Sequence, residues 1–185
     1  NADRMPGVAH FNDALREALK GSDFDSGNDT GFVTGKPFME GWIATNLQGG
    51  AYYPVNRGNY KTPAQMVQYV EAHDNLTLYD KLKVSLPWDD EDFRMRRHLL
   101  ASSFVLLSQG IPFIHAGQEF MRTKNGLENS YNAPDSINRM DWHRRSEMKQ
   151  AVDYMKGLIA LRKHEPLFRL RTIDDVKEHM NILKA

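Results

Sequence analysis

Tyr69-Val70-Glu71-Ala72-His73-Asp74-Asn75 decides the reading of this chain. An apolar segment runs directly into three residues that can each hydrogen-bond. Gln68 to Val70 reads as the end of a short buried strand, with Thr62 and Pro63 marking the turn into it. Where a parallel sheet is enclosed by helices, side chains just past the carboxyl ends of the strands line the functional face. His73, Asp74 and Asn75 then present an imidazole, a carboxylate and an amide there. Such a trio suits a polyhydroxylated ligand, because sugars offer closely spaced donors and acceptors. The spacing fits a structural role no less well. Asp74 or Asn75 can cap a following helix, Leu76 to Lys83, for about 1 kcal/mol, while His73 merely packs.

The flanks repeat one pattern. Pro6-Gly7 opens a short apolar strand, Val8 to Phe11. Asn12 or Asp13 then caps a helix in which Leu15, Ala18 and Leu19 share a stripe, and Gly21 ends it. Downstream of the central helix, the acidic cluster Asp89 to Asp92 favours a helix start through the macrodipole. That helix runs to Gln109 with Met95, Leu99, Leu100, Phe104 and Leu107 on its buried side. Gly110 stops it, and Ile111 to Gly117 reads as the next strand, where Pro112 is tolerable only near the start. A long helix follows from Ser146 to His164, with Met148, Val152, Met155, Leu158 and Ile159 inward and Pro166 closing it. Thr172 and Asp175 form a capping pair for a short helix before Met180 to Leu183, which reads as a strand just beginning. Strand and helix thus alternate about three times, with elaborate loops only after strands. That is a parallel α/β sheet or part of a barrel.

Two long stretches depart from the pattern. Ser22 to Pro63 is rich in glycine, Asn and Asp, yet Trp42, Tyr52, Tyr53 and Tyr60 argue against disorder. Within it, Asp23 to Asp29 faintly echoes a calcium loop but lacks the closing bidentate glutamate, so turn formation is the better reading. Gln118 to Trp142 holds Glu128, Asn129, Tyr131, Asn132, Asp135, Asn138, Arg139 and Asp141. His115 and Glu119 stand four apart, but Gly117 and the strand context break the helical geometry that such metal ligands need.

Composition narrows the field further. The 185 residues suit one domain, or one with part of another, and 41% hydrophobic content is enough for a core. Twenty-four cations balance 24 anions, so no basic field points to nucleic acid or acidic lipid. There is no cysteine, hence no disulfide or thiolate site, which fits a bacterial protein inside or outside the cell. No apolar run approaches the ~20 residues of a membrane helix. Phosphate-cradling glycine motifs and a G-x-S-x-G elbow are both missing, and no cofactor or metal is expected. Without an initiator methionine or signal peptide, Asn1-Ala2 resembles a tag scar, and the chain reads as a piece of a longer one.

At this point a resemblance becomes specific. Residues 69–80, Tyr69 through Asp80, resemble the histidine-aspartate-asparagine motif at the seventh barrel strand of the alpha-amylase superfamily, in the form found in type I pullulanases. Met5 to Asp13, Gly110 to Glu119 and Asn129 to Asp135 agree in order and spacing. The resemblance implies a partial (β/α)8 TIM barrel: Val8 to Phe11 as strand six, Gln68 to Val70 as strand seven, Ile111 to Ala116 as strand eight. Residues 3–166 would be the C-terminal part of that barrel, and residues 167–185 the start of a C-terminal β-domain.

The implied activity is retaining hydrolysis of α-1,6-glucosidic branch linkages in pullulan, starch or glycogen dextrins. Nucleophile and general acid would lie on strands four and five, ahead of Asn1, so this piece alone is expected to be inactive. The resemblance gives Asp74 and His73 hydrogen bonds to sugar hydroxyls at the cleavage subsite, with Asp74 helping to distort the ring. Asn75 would support them, and Tyr131, Asn132, Asp135, Asn138 and Arg139 would line neighbouring glucose subsites. Gln118 and Glu119 read as structural. The expected partner is an α-glucan, and the open barrel edges are expected to self-associate. Other readings stay open. They are an isoamylase or oligo-glucosidase specificity, a non-catalytic glucan-binding fragment and, more distantly, a metal hydrolase using His73, Asp74 and His115.

Overall fold

The structure is a computed structural model that describes residues 2–25, 29–51 and 60–183. In chain order it holds β1 (His10–Phe11), α1 (Asp13–Lys20), α2 (Glu40–Leu47), β2 (Met66–Gln68) and α3 (Leu78–Ser85). Then come α4 (Glu91–Leu107), β3 (Ile111–Pro112), α5 (Asp135–Asn138), α6 (Trp142–Glu147), α7 (Lys149–His164) and α8 (Ile173–His179). The strands form a parallel sheet in the order β1-β2-β3, with His10 opposite Met66 and Val67 opposite Ile111. Backbone bonds from Asn12 N to Val67 O (2.9 Å) and Phe113 N to Gln68 O (2.8 Å) extend the pairing past the strand ends. All three strands therefore deliver their following residues to one edge.

The expected helix stripes form the core. Leu15, Leu19, Leu78, Leu82, Ala101 and Val105 pack together with Val70, while Met155 and Leu158 of α7 close on Leu106 of α4. Phe11, Tyr69 and Phe113 meet edge-on at 4.8–6.4 Å away from that core, and Phe11 remains 52% exposed.

Strands of two or three residues make few ladder bonds, so buried side-chain amides add the cross-links. Asn12 Nδ2 donates to Asn46 Oδ1 (2.8 Å) and Gln68 Oε1 (2.7 Å), and Gln68 Nε2 donates to the carbonyls of Asn46 and Gln109 (3.0 and 2.9 Å). Asn12 is also the expected cap of α1, accepting from Leu15 N. Arg162 joins α7 to the α4–β3 corner by donating to the carbonyls of Leu106, Ser108 and Gly110 at 2.7–2.8 Å. At that corner Gly110 has φ +102°, and a Cβ would lie 2.7 Å from Met66 O, so only glycine fits.

Several expectations give way. β1 and β3 are shorter than the expected runs Val8 to Phe11 and Ile111 to Ala116, and β2 lies earlier than Gln68 to Val70, ending at Gln68 ahead of Tyr69 and Val70, because a residue joins the ladder only where a neighbouring backbone runs beside it. Met180 to Leu183 has no such neighbour and forms no strand. The long glycine-rich stretch contains α2, whose Gly41 and Thr45 are weak helix formers; packing on α1 supplies what propensity does not. The helix after the central motif is capped by Thr77, whose hydroxyl accepts from Asp80 N, and not by Asp74 or Asn75. Helix α4 stops at Leu107, and Leu100 is 42% exposed because the buried stripe of that helix is centred on His98, Ala101, Ser102 and Val105. On α7, Ile159 is 40% exposed because Ala151, Val152, Met155 and Leu158 take the covered face. Met148 breaks the predicted single helix into α6 and α7. Tyr52, Tyr53 and Ser26 to Asn28 of the calcium-like stretch lie outside the described residues. Asp23 and Asp29 are engaged by cations, Asp23 by Lys20 (2.6 Å) and Asp29 by Lys36 (3.0 Å).

Candidate active site

The central motif leaves β2 and turns outward at the carboxyl edge of the sheet. Asn75 adopts φ +62°, a conformation that asparagine tolerates better than most residues. This turn lifts His73 and Asp74 into solvent, with side chains 81% and 74% exposed and Nε2 to Oδ2 at 3.4 Å. An exposed imidazole and carboxylate side by side have no packing role. They are free to meet a ligand.

Two grooves share this pair. The first, about 520 Å³, is lined by Phe11, Arg16, Asp23, Phe24, Tyr69, Phe113 and the run Ala72 to Asn75. The second, about 230 Å³, is lined by His73, Asp74, His115, Arg122, Lys124, Ser130, Tyr131 and Asn138. Of the expected sugar contacts, Asn75 reaches the first groove and Tyr131 and Asn138 the second. Asn138 is already engaged, since its Nδ2 donates to the carbonyls of Ser130 (2.6 Å) and Ala133 (3.1 Å) and so fixes the loop. Arg139 lines a separate hollow with Phe120, Asp141 and Arg144. Asn132 and Asp135 are exposed and line none of these three hollows.

Buried polar groups hold the turn from beneath. Lys124 Nζ donates to His73 O (2.6 Å), and Asp80 on α3 anchors the Lys124 segment by accepting from Lys124 N (2.7 Å) and Thr123 Oγ1 (2.5 Å). Glu71, 1% exposed, accepts from Leu78 N and from His115 Nδ1 (3.0 Å). Burial alone would raise its carboxyl; the His115 bond, the fields of His98 and His115, and the Leu78 amide together hold it below the usual range. On the side of the first groove, Arg16 donates to Tyr69 Oη, which donates to Asp13, each at 2.5 Å. Burial, then the bond to Asp13, raises the Tyr69 phenol. These supports couple residues far apart in sequence, and no local spacing signalled them. Glu71 was visible only as an acidic residue inside the motif. Gln118 is built in, with Nε2 donating to Ser102 Oγ (3.0 Å) and Oε1 accepting from His115 N, while Glu119 accepts from Gly117 N. Among the described residues, no three His, Asp or Glu side chains are arranged to hold a metal ion, and no helix is long and apolar enough to cross a membrane.

No family model matches the chain. A pullulanase of Bacillus subtilis strain 168 is 43% identical over 183 residues, covering 99% of this chain and 25% of that protein. The crystal structure of a Paenibacillus barengoltzii pullulanase with maltohexaose and alpha-cyclodextrin superposes with a TM-score of 0.95 at 44% identity, covering 100% of this chain and 29% of that one. That of the type I pullulanase of Bacillus subtilis str. 168 with maltose also gives 0.95, at 43% identity and 26% of its length. The fold, α/β with a small parallel sheet, is of the alpha-amylase type. More narrowly, the chain is homologous along its whole length to a segment of the type I pullulanases, a starch-debranching family of glycoside hydrolases. It spans about a quarter of the length of each of these relatives.

Proposed function

We propose that this chain is the C-terminal part of the catalytic barrel of a retaining debranching enzyme that cleaves α-1,6-glucosidic linkages. The observation that carries this is the exposed His73–Asp74 pair, set at the junction of two grooves beyond the central parallel strand. In this reading β1, β2 and β3 are barrel strands six, seven and eight, residues 3–166 belong to the barrel and residues 167–185 lead into the next domain. Asp74 and His73 bind hydroxyls of the glucosyl unit at the cleavage point. A carboxylate–hydroxyl bond that tightens as the ring flattens stabilises the transition state above the ground state, and only that difference accelerates the reaction. Asn75, Tyr131, Asn132, Asp135, Asn138 and Arg139 serve adjoining subsites. The attacking and proton-donating carboxylates come from barrel strands four and five, outside this sequence.

The test is hydrolysis of pullulan by the 185-residue chain and by a longer protein that includes those strands, each with and without Asp74→Asn. Maltotriose release by the longer protein alone, abolished by the substitution, is the expected result. Cleavage of linear starch with pullulan untouched would overturn the specificity. Turnover by the short chain would overturn the placement of the catalytic carboxylates. The reading also leaves β1 and β3 as open edges, with Val8, Phe11 and Ile111 more than 40% exposed, so the 185-residue chain should self-associate. A monodisperse monomer in light scattering would count against the barrel assignment.

A further inference from the structure

The roles above leave Glu71 and His115 unassigned. Glu71 lies just beyond β2 and is almost fully enclosed, a place where an ionised carboxylate is unfavourable unless its oxygens are bonded. Both are bonded: one accepts from Leu78 N at the start of α3, and the other faces His115 Nδ1 at 3.0 Å. A glutamine that kept its oxygen on Leu78 N would turn its Nε2 amide, which only donates, toward His115 Nδ1 and so favour the opposite, Nε2–H tautomer; a carboxylate, which only accepts, cannot do this. His115 must give its Nδ1 proton to this bond, and the bonds that hold the Glu71 carboxyl low keep it ionised to receive it. The ring is further tied through its backbone, where His115 N donates to Gln118 Oε1.

Imidazole geometry then fixes the other edge. With Nδ1 turned toward Glu71, Nε2 is the polar atom left for the second groove, which His115 lines beside His73, Asp74 and Lys124. In the neutral ring Nε2 is an acceptor. Of its cationic neighbours in the groove, Lys124 donates to the carbonyl of His73 and Arg122 to those of Ala116 and Asn138. When neutral, His115 therefore supplies an acceptor in the groove that Asp74 also lines.

We propose that Glu71 and His115 act together in glucan recognition: Glu71 is a positioning residue that fixes the ring, and His115 Nε2 accepts a hydrogen bond from a glucosyl hydroxyl in the second groove. The inference rests on the reading that the groove beside Asp74 takes a glucan. Ring-nitrogen NMR of the 185-residue chain labelled with 15N-histidine tests it, with maltotriose as the probe. Without sugar, His115 should show the Nδ1–H tautomer, and added maltotriose should shift Nε2 of His115 together with the His73 ring. Glu71→Gln should turn the ring toward the Nε2–H tautomer and weaken maltotriose binding about five- to tenfold, the worth of one hydrogen bond. His115→Phe should weaken it equally, and His115→Gln should recover part of the loss, which a purely packing role would not do. If Glu71→Gln fails to fold, the Phe and Gln variants carry the comparison. A response of His73 without one at His115, or wild-type affinity in His115→Phe, would refute the pair and leave the glucan reading standing. No response at any histidine would remove that reading and the pair with it.

Discussion

Replacing Asn12 by aspartate changes one nitrogen to oxygen, and the structure says why that should matter. Asn12 is 4% exposed, and its Nδ2 donates to Asn46 Oδ1 (2.8 Å) and Gln68 Oε1 (2.7 Å). Neither acceptor can turn to compensate. Asn46 Nδ2 is held by Trp42 O at 2.8 Å, and Gln68 Nε2 by two carbonyls at 2.9–3.0 Å, so a flip breaks as many bonds as it mends. In Asn12→Asp the α1 cap survives, since Oδ1 still accepts from Leu15 N, but two buried acceptors lose their donor and face a third. At about 1–3 kcal/mol for each acceptor left unsatisfied, the loss is roughly 2–6 kcal/mol. That is a large part of a typical stability of about 5–15 kcal/mol. A central value of about 4 kcal/mol lowers Tm by roughly 8–16 °C in a chain of this size. The new carboxyl has a raised pKa in the folded state, so the penalty grows as pH rises above its unfolded value of about 3.9 and shrinks on acidification, when a proton restores one donor. Urea denaturation of both proteins at pH 7 and pH 5 measures this. A difference under about 1 kcal/mol at pH 7, or one that does not vary with pH, would refute the network as the bond between strands and α2.

Two other consequences can be measured in the same way. His98 is buried and its pKa is lowered, first by desolvation, while Glu71 is lowered by its bonds and neighbouring histidines against burial. In both cases the unfolded chain binds more protons, so the urea midpoint should fall as pH drops below about 6.5 and fall again below about 4.3; a midpoint that rises toward pH 5 would contradict the burial of His98. Glycine substitutions should split by environment. Gly157→Ala, in the open on α7, should add about 0.5–1 kcal/mol, whereas Gly31→Ala should cost about 1–3 kcal/mol because its Cβ would lie 2.6 Å from Gly21 N and from the Leu19 carbonyl. Equal shifts in calorimetric Tm for the two would sink this account.

What the sequence determined by itself was local or periodic. The run from Tyr69 to Asn75 marked the strand exit, Leu15 and Leu19 or Val152 and Met155 marked inward helix faces, and Thr172 with Asp175 marked a cap that forms as a capping box. Each depends on residues within a turn or two, where spacing fixes geometry. The placement of His73 and Asp74 beyond the carboxyl end of the central strand was legible for the same reason, since they follow it within a few residues, whereas their exposure was not, because the same spacing allowed a cap and a packed ring. Only the tertiary structure decided the rest. Asn12, Asn46 and Gln68 meet across sequence separations of 34 and 56 residues, and Glu71 meets His115 across 44. Nothing in the local pattern of any one of them selects its partner. The same holds for α2, a helix weakened by Gly41 and Thr45 that packs on α1, and for the exposure of Leu100 and Ile159. Periodicity identifies an apolar stripe, but the angle at which a neighbouring helix crosses it selects which members are covered.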